Sequence, residues 1–149
     1  MKIRLIAIGK IKEKYLREGI EEFKKRLRAF QIELEELELP EMQGDSAKCV
    51  EQESAKILEK VREDFVVFDI GGRLVSSEDL AKILHAREPK GYLDLVVGGS
   101  HGLSAELLSH TKNNISFGKI TFPHQLFRLV VCEQIYRAAS ILHGKPYHK

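Results

Sequence analysis

Tryptophan is absent from this chain, cysteine occurs only twice, and proline only four times. Cys49 and Cys132 lie far apart and match no metal-ligand spacing, so neither a metal centre nor a disulfide-stapled fold is expected. Two scattered thiols suit a reducing cytoplasm. No apolar run approaches the ~20 residues that span a bilayer, which argues against a membrane partner. The opening Met1–Gly9 is basic and then apolar, but Lys10 and Lys12 follow at once and no small-residue cleavage site appears. It reads as a buried first strand and not as a signal peptide. Repeats, low-complexity segments and linkers are missing too, and 149 residues predict one domain spanning 1–149. Neither a G-x-G-x-x-G spacing nor a phosphate loop ending in Gly-Lys-Ser/Thr is present, which disfavours a dinucleotide or a nucleoside triphosphate.

What remains is a balanced chain with uneven charge. The net charge is +2. Residues 1–30 hold ten Lys/Arg against four Glu, residues 31–63 four against ten acidic residues, and residues 119–149 five against one. Such asymmetry fits an anionic partner at the two basic ends, as well as ordinary charged helix faces.

Apolar periodicity then divides the chain. Ile3–Ile8 reads as a buried strand. Tyr15, Ile20, Phe23, Leu27 and Phe30 fall near helical spacing. Residues 32–39 mostly alternate, which predicts an edge strand with one wet face, stopped by Pro40. A loop over 42–47 precedes a helix over 49–61. Phe65–Ile70 is a continuous apolar run of the kind buried in a parallel sheet, turned by Gly71-Gly72. Ser76 or Ser77 caps the next helix, with Glu78 and Asp79 at its positive end. Tyr92–Val97 is another buried strand, Ser104 caps a short helix, Ile115–Phe122 is extended, and a long helix follows Pro123. Strands alternating with helices predict an α/β fold with a parallel sheet flanked by helices.

Ligands in open α/β sheets bind beyond the carboxyl ends of the strands. Three such ends carry glycine: Phe68-Asp69-Ile70-Gly71-Gly72, Val97-Gly98-Gly99-Ser100-His101-Gly102 and Gly118-Lys119-Ile120-Thr121-Phe122-Pro123. Any single glycine pair fits a plain turn best, and together the segments suit a nucleoside-like ligand with little negative charge. His101 and His124 are candidates for a general base or for capping. Arg128 and Arg137 project similarly from one helix and suit either phosphate binding or pairing with Glu133. The last residues, Pro146-Tyr147-His148-Lys149, concentrate an aromatic ring, an imidazole and a cation where a chain usually frays.

Four ordered motifs go further. Leu95–Ser104 (LVVGGSHGLS), Thr121–Arg128 (TFPHQLFR), Glu133–Ala138 (EQIYRA) and Pro146–His148 (PYH) resemble the large-subunit ribosomal-RNA methyltransferase H family, enzymes of the SPOUT class, and the likeness runs end to end. The resemblance implies a C-terminal trefoil knot, a rare exception to the usual topology rules. It also implies a homodimer, S-adenosyl-L-methionine as methyl donor, and methylation of N3 of a pseudouridine in 23S rRNA of the assembled ribosome. Carried over by position, Phe68 (where the family usually has an aliphatic residue), Gly99, Gly118, Lys119, Ile120, Thr121, Phe122 and Pro123 would hold the cofactor. Tyr147 and His148 would accept the N3 proton or hold the uracil, while Arg128 and Arg137 would clamp phosphate or stabilise developing charge. The alternative is an RNA-binding protein that keeps this fold without catalysis.

Overall fold

Alternation within the first strand sets the two faces of the molecule. In the computed structural model, which describes residues 1–149, strand β1 (Lys2–Ile8) directs Ile3, Leu5 and Ala7 to one side and Ile6 and Ile8 to the other. Strands β2 (Glu33–Leu39), β3 (Val66–Leu74), β4 (Tyr92–Val97) and β5 (Asn113–Ser116) join it in one sheet. Every pairing is parallel, in the order β2-β1-β4-β3-β5. The interior strands β1 and β4 are buried on both faces, hence their unbroken apolar sequence.

Helices α1 (Lys14–Leu27), α3 (Ser77–Arg87) and α5 (His124–Leu142) cover the first face, with α5 packed between the other two. Helices α2 (Ser46–Lys60) and α4 (Ala105–Ser109) cover the second through Ile57 and Leu107. Each Leu or Ile so buried contributes about 1.5–3 kcal/mol. Ser76 caps α3 in a reciprocal capping box with Asp79, and Ser104 caps α4 by accepting from the Leu107 amide.

Three expectations need correction. Helix α2 starts at Ser46 because the Asp45 side chain accepts from the Lys48 amide and caps it earlier than Cys49. Strand β3 does not turn at Gly71-Gly72. It bulges, so that Phe68 and Arg73 both pair with Ile115, and runs on to Leu74. A Cβ at Gly72 would lie 2.7 Å from the Ile115 backbone, so only glycine lets the two strands close up after the bulge. Strand β5 ends at Ser116, where the Ser116 hydroxyl bonds both the amide and the carbonyl of Gly118, and Gly118 leaves the ladder at φ +136°.

The edge strand differs in a more consequential way. Glu36, half-buried, and Glu38, still open to water, lie on the helical side of the sheet with Leu34, and there they receive Arg128 of α5. A second buried charge joins β1 to β4. Asp94, 2% exposed, sits opposite Arg4 and accepts from Arg4 Nε at 2.9 Å and from the Arg62 amide at 2.8 Å. Burial pushes its carboxyl pKa up, but the hydrogen bonds from Arg4 and Arg62 outweigh that and hold it at about 2, below the ordinary 3.8.

Candidate active site

Phe68–Ile70 of β3, the carboxyl end of β4 and the segment after β5 enclose a cavity of about 720 Å³, of the size that takes a small organic ligand. Its aromatic wall is a cluster in which Phe68 meets Phe117 edge-on at 5.0 Å and Phe127 at 5.5 Å, with Phe122 stacked on Phe127 at 6.0 Å. Opposite lies the backbone of Gly98–Leu103. That loop is tied to α2, where buried Ser54 accepts from the Ser104 amide at 2.9 Å. No lysine or arginine lines the cavity; Asp69 is its one carboxylate, and His101 and His124 its imidazoles.

Seven of the eight residues expected to hold a cofactor line this space: Phe68, Gly99, Gly118, Ile120, Thr121, Phe122 and Pro123. Lys119 is exposed and lies outside the wall. Ile120 is 76% exposed, a large apolar side chain at the rim. Phe117 and Phe127 were not legible as site residues. Phe117 sits just before the Gly118 turn, and Phe127 is one helical turn after Pro123, and that spacing was the available signal.

The four residues expected to carry the chemistry stand elsewhere. Arg128 is fully buried and donates to the Gly9 carbonyl at 2.9 Å, to Glu36 Oε2 at 2.8 Å and to Glu38 Oε1 at 2.9 Å. It braces α5 against the sheet, and a phosphate clamp at this position is ruled out by its burial. Arg137 is committed to Glu133 at 2.6 Å and lies 4.7 Å from the centre of the Tyr147 ring. Tyr147 stacks edge-on against Tyr136 at 4.7 Å and donates to Glu133 at 3.0 Å. Burial, then the bond to Glu133, pushes its phenol pKa up, so it is a donor at neutral pH. His148 Nε2 lies 2.9 Å from Glu78 Oε1. None of the four lines the cavity. Along α5, His124 and Arg137 are separated by roughly 20 Å at 1.5 Å per residue, so the tail does not lie over the cavity of its own chain.

No helix is long and apolar enough to cross a membrane, and no group of three or more His, Cys, Asp or Glu is placed to hold a metal ion. The family profile described as "Predicted SPOUT methyltransferase" matches residues 1–148. Proteins named ribosomal RNA large subunit methyltransferase H are similar over 100% of both chains: one from Streptococcus mutans at 48% identity, one from Carboxydothermus hydrogenoformans at 42%, and one from Streptococcus pneumoniae at 43%. With its parallel sheet, its glycine-lined cavity and this end-to-end match, the chain belongs to the SPOUT methyltransferase family and is an enzyme that transfers methyl groups.

Proposed function

We propose that this protein acts in the cytoplasm as a single-domain homodimer with a knotted C-terminal segment. In that reading it methylates N3 of a pseudouridine in 23S rRNA of the assembled ribosome, with S-adenosyl-L-methionine as donor. The observation that carries the cofactor assignment is the cavity's charge. Walls of phenylalanine and glycine backbone with one carboxylate, Asp69, and no lysine or arginine suit a ligand of net positive charge bearing a sulfonium cation. A phosphate-bearing cofactor would meet no cation there. The names of the full-length relatives support large-subunit ribosomal RNA as the substrate, and the target atom and the assembled ribosome follow from the family resemblance.

The roles divide by element. Phe68, Gly99, Gly118, Ile120, Thr121, Phe122 and Pro123 enclose the cofactor, and Lys119 contributes no more than backbone continuity. S-adenosyl-L-methionine supplies a methyl group already activated for transfer. The protein therefore has to align N3, exclude water and remove one proton, and alignment is the larger part of that task. His148, oriented by Glu78, accepts the N3 proton, and Tyr147, whose one hydroxyl proton goes to Glu133, holds the uracil ring. Both come from a second copy, because each tail stands away from its own cavity. The exposed apolar side chain of Ile120 at the rim fits a face covered by that copy. Arg137 positions the tail through Tyr147, and Arg128 braces the helix that carries both.

Methyl transfer from radiolabelled S-adenosyl-L-methionine tests this reading on assembled ribosomes, separated subunits and naked rRNA, with the product nucleoside identified by mass spectrometry. Label as 3-methylpseudouridine on assembled ribosomes alone is the expected result. Label in another nucleoside, or on free RNA in preference, would overturn the substrate assignment.

A further inference from the structure

Both arginines expected to meet phosphate turn out to be held by glutamates, so RNA backbone contacts have to come from other cations. Residues 64–118 carry five, Arg73, Lys82, Arg87, Lys90 and Lys112, against seven carboxylates. All five collect at one edge of the molecule. Arg73, Lys82 and Arg87 line a concavity of about 340 Å³ between α3 and β5, together with Asp79 and Asn113. Lys90 pairs with Asp64, close to which Arg87 and Lys112 also lie.

The charges in this concavity are mismatched. Its one carboxylate, Asp79, already accepts from the Ser76 amide at 3.1 Å and stands 3.4 Å from Lys82. Arg73 is exposed and forms no ion pair. Arg87 donates only to the Asp64 carbonyl at 3.2 Å, and its Nε is buried with no partner. By contrast Arg4, Arg62, Arg128 and Arg137 each hold a carboxylate. Three converging cations, one of them with an unmatched buried donor, offer what a phosphate accepts. The place fits as well. Asn113 opens β5 and Ser116, which lines the methyl-transfer cavity, closes it, about 10 Å away at ~3.3 Å per residue. That separation is the span of a few nucleotides.

We propose that the concavity lined by Arg73, Lys82 and Arg87 binds a backbone phosphate of the RNA whose target base enters the neighbouring cavity. The identity of the ligand rests on the substrate reading above. The test does not depend on methyl transfer. A short fluorescein-labelled single-stranded oligoribonucleotide is titrated with wild type and with the double variant Arg73→Gln, Lys82→Gln across a KCl series, read by fluorescence anisotropy. The variant is expected to bind several-fold more weakly. Its log–log salt slope should be shallower by about 0.7 for each phosphate that the variant leaves unneutralised. S-adenosyl-L-methionine affinity by calorimetry should stay at the wild-type value, since neither side chain lines that cavity. Equal oligonucleotide affinity and slope in the two proteins, or no binding by wild type, would overturn the proposal. A shift of the Arg87 Nε–H resonance on adding inorganic phosphate, with oligonucleotide binding unchanged, would mark a free-anion site and overturn the RNA assignment. If wild type methylates no ribosomal substrate, the substrate reading fails while the anisotropy result stands by itself.

Discussion

Arg128 of the last helix donates a 2.8 Å hydrogen bond to Glu36 of the edge strand, 92 positions earlier in the chain. The guanidinium is fully buried, and its Nε has no partner, so the bonds to Glu36, Glu38 and Gly9 carry the whole compensation for burying it. Replacing Arg128 with Met leaves half-buried Glu36 with Lys24 alone, at 3.4 Å, and Glu38 without a cation. Unfolding in urea should show a loss of roughly 3–5 kcal/mol, the usual cost of removing one partner of a buried pair. Adding Glu36→Gln and Glu38→Gln to Arg128→Met should recover part of it, whereas a purely packing role for Arg128 predicts no recovery.

Asp94 gives the fold an acid limit. Its pKa is lowered in the folded protein, from 3.8 to about 2. The stabilisation is therefore fully present above pH 3.8 and is lost as pH falls towards 2. It amounts to about 2 kcal/mol. Urea midpoints measured between about pH 5 and pH 2 should fall across that window, and Asp94→Asn should flatten this part of the profile.

Neither thiol is available in the native state. Cys49 and Cys132 are free and buried, and burial, reinforced by nearby Glu36, pushes the Cys132 thiol up to about 12. Ellman's reagent should detect almost no thiol in native protein at neutral pH and both after denaturation. Rapid native reaction of either would show that the helical layer opens.

Gly118 occupies φ +136° where the chain leaves β5 for the cavity wall. A side chain there is strained by about 1–2 kcal/mol. Gly118→Ala should weaken S-adenosyl-L-methionine binding about tenfold by calorimetry, the equivalent of ~1.4 kcal/mol.

The placement of the tail predicts complementation between subunits. A Gly118→Val chain should lack a working cavity, and a His148→Ala chain a working tail. Each alone should be inactive, and co-refolded mixtures should regain methyl transfer because one intact cavity can meet one intact tail. Mixtures as inactive as their components would sink the shared site.

Which parts were legible follows from the range of the forces involved. The buried runs of β1 and β4 and the caps at Ser76 and Ser104 depend on neighbours within a few positions, and they stand where the sequence puts them. The glycine-bearing segments after β4 and β5 do meet at one cavity with Phe68–Ile70 of β3, because a parallel α/β sheet brings such segments together, but Gly71 and Gly72 stay outside it. What failed was long-range. The alternation of residues 32–39 gave no sign that Glu36 and Glu38 point inward, since the cation that draws them there is in the last helix. The bulge after Phe68 was hidden for a related reason. Gly71-Gly72 makes a turn as readily as a close strand contact, and only the approach of Ile115 decides.

The tie between the final helix and the second strand also constrains how the chain is made. Helices α1 and α3 lack their neighbour, and Glu36 and Glu38 lack Arg128, until residues 124–142 have been synthesised. The first hundred residues emerging from the translating ribosome thus hold an open apolar layer and an acidic strand whose inner glutamates lack their arginine. Contacts of such wide sequence separation fold slowly. Native packing of this layer therefore waits for α5 to emerge, and the nascent protein is the stage most exposed to misfolding.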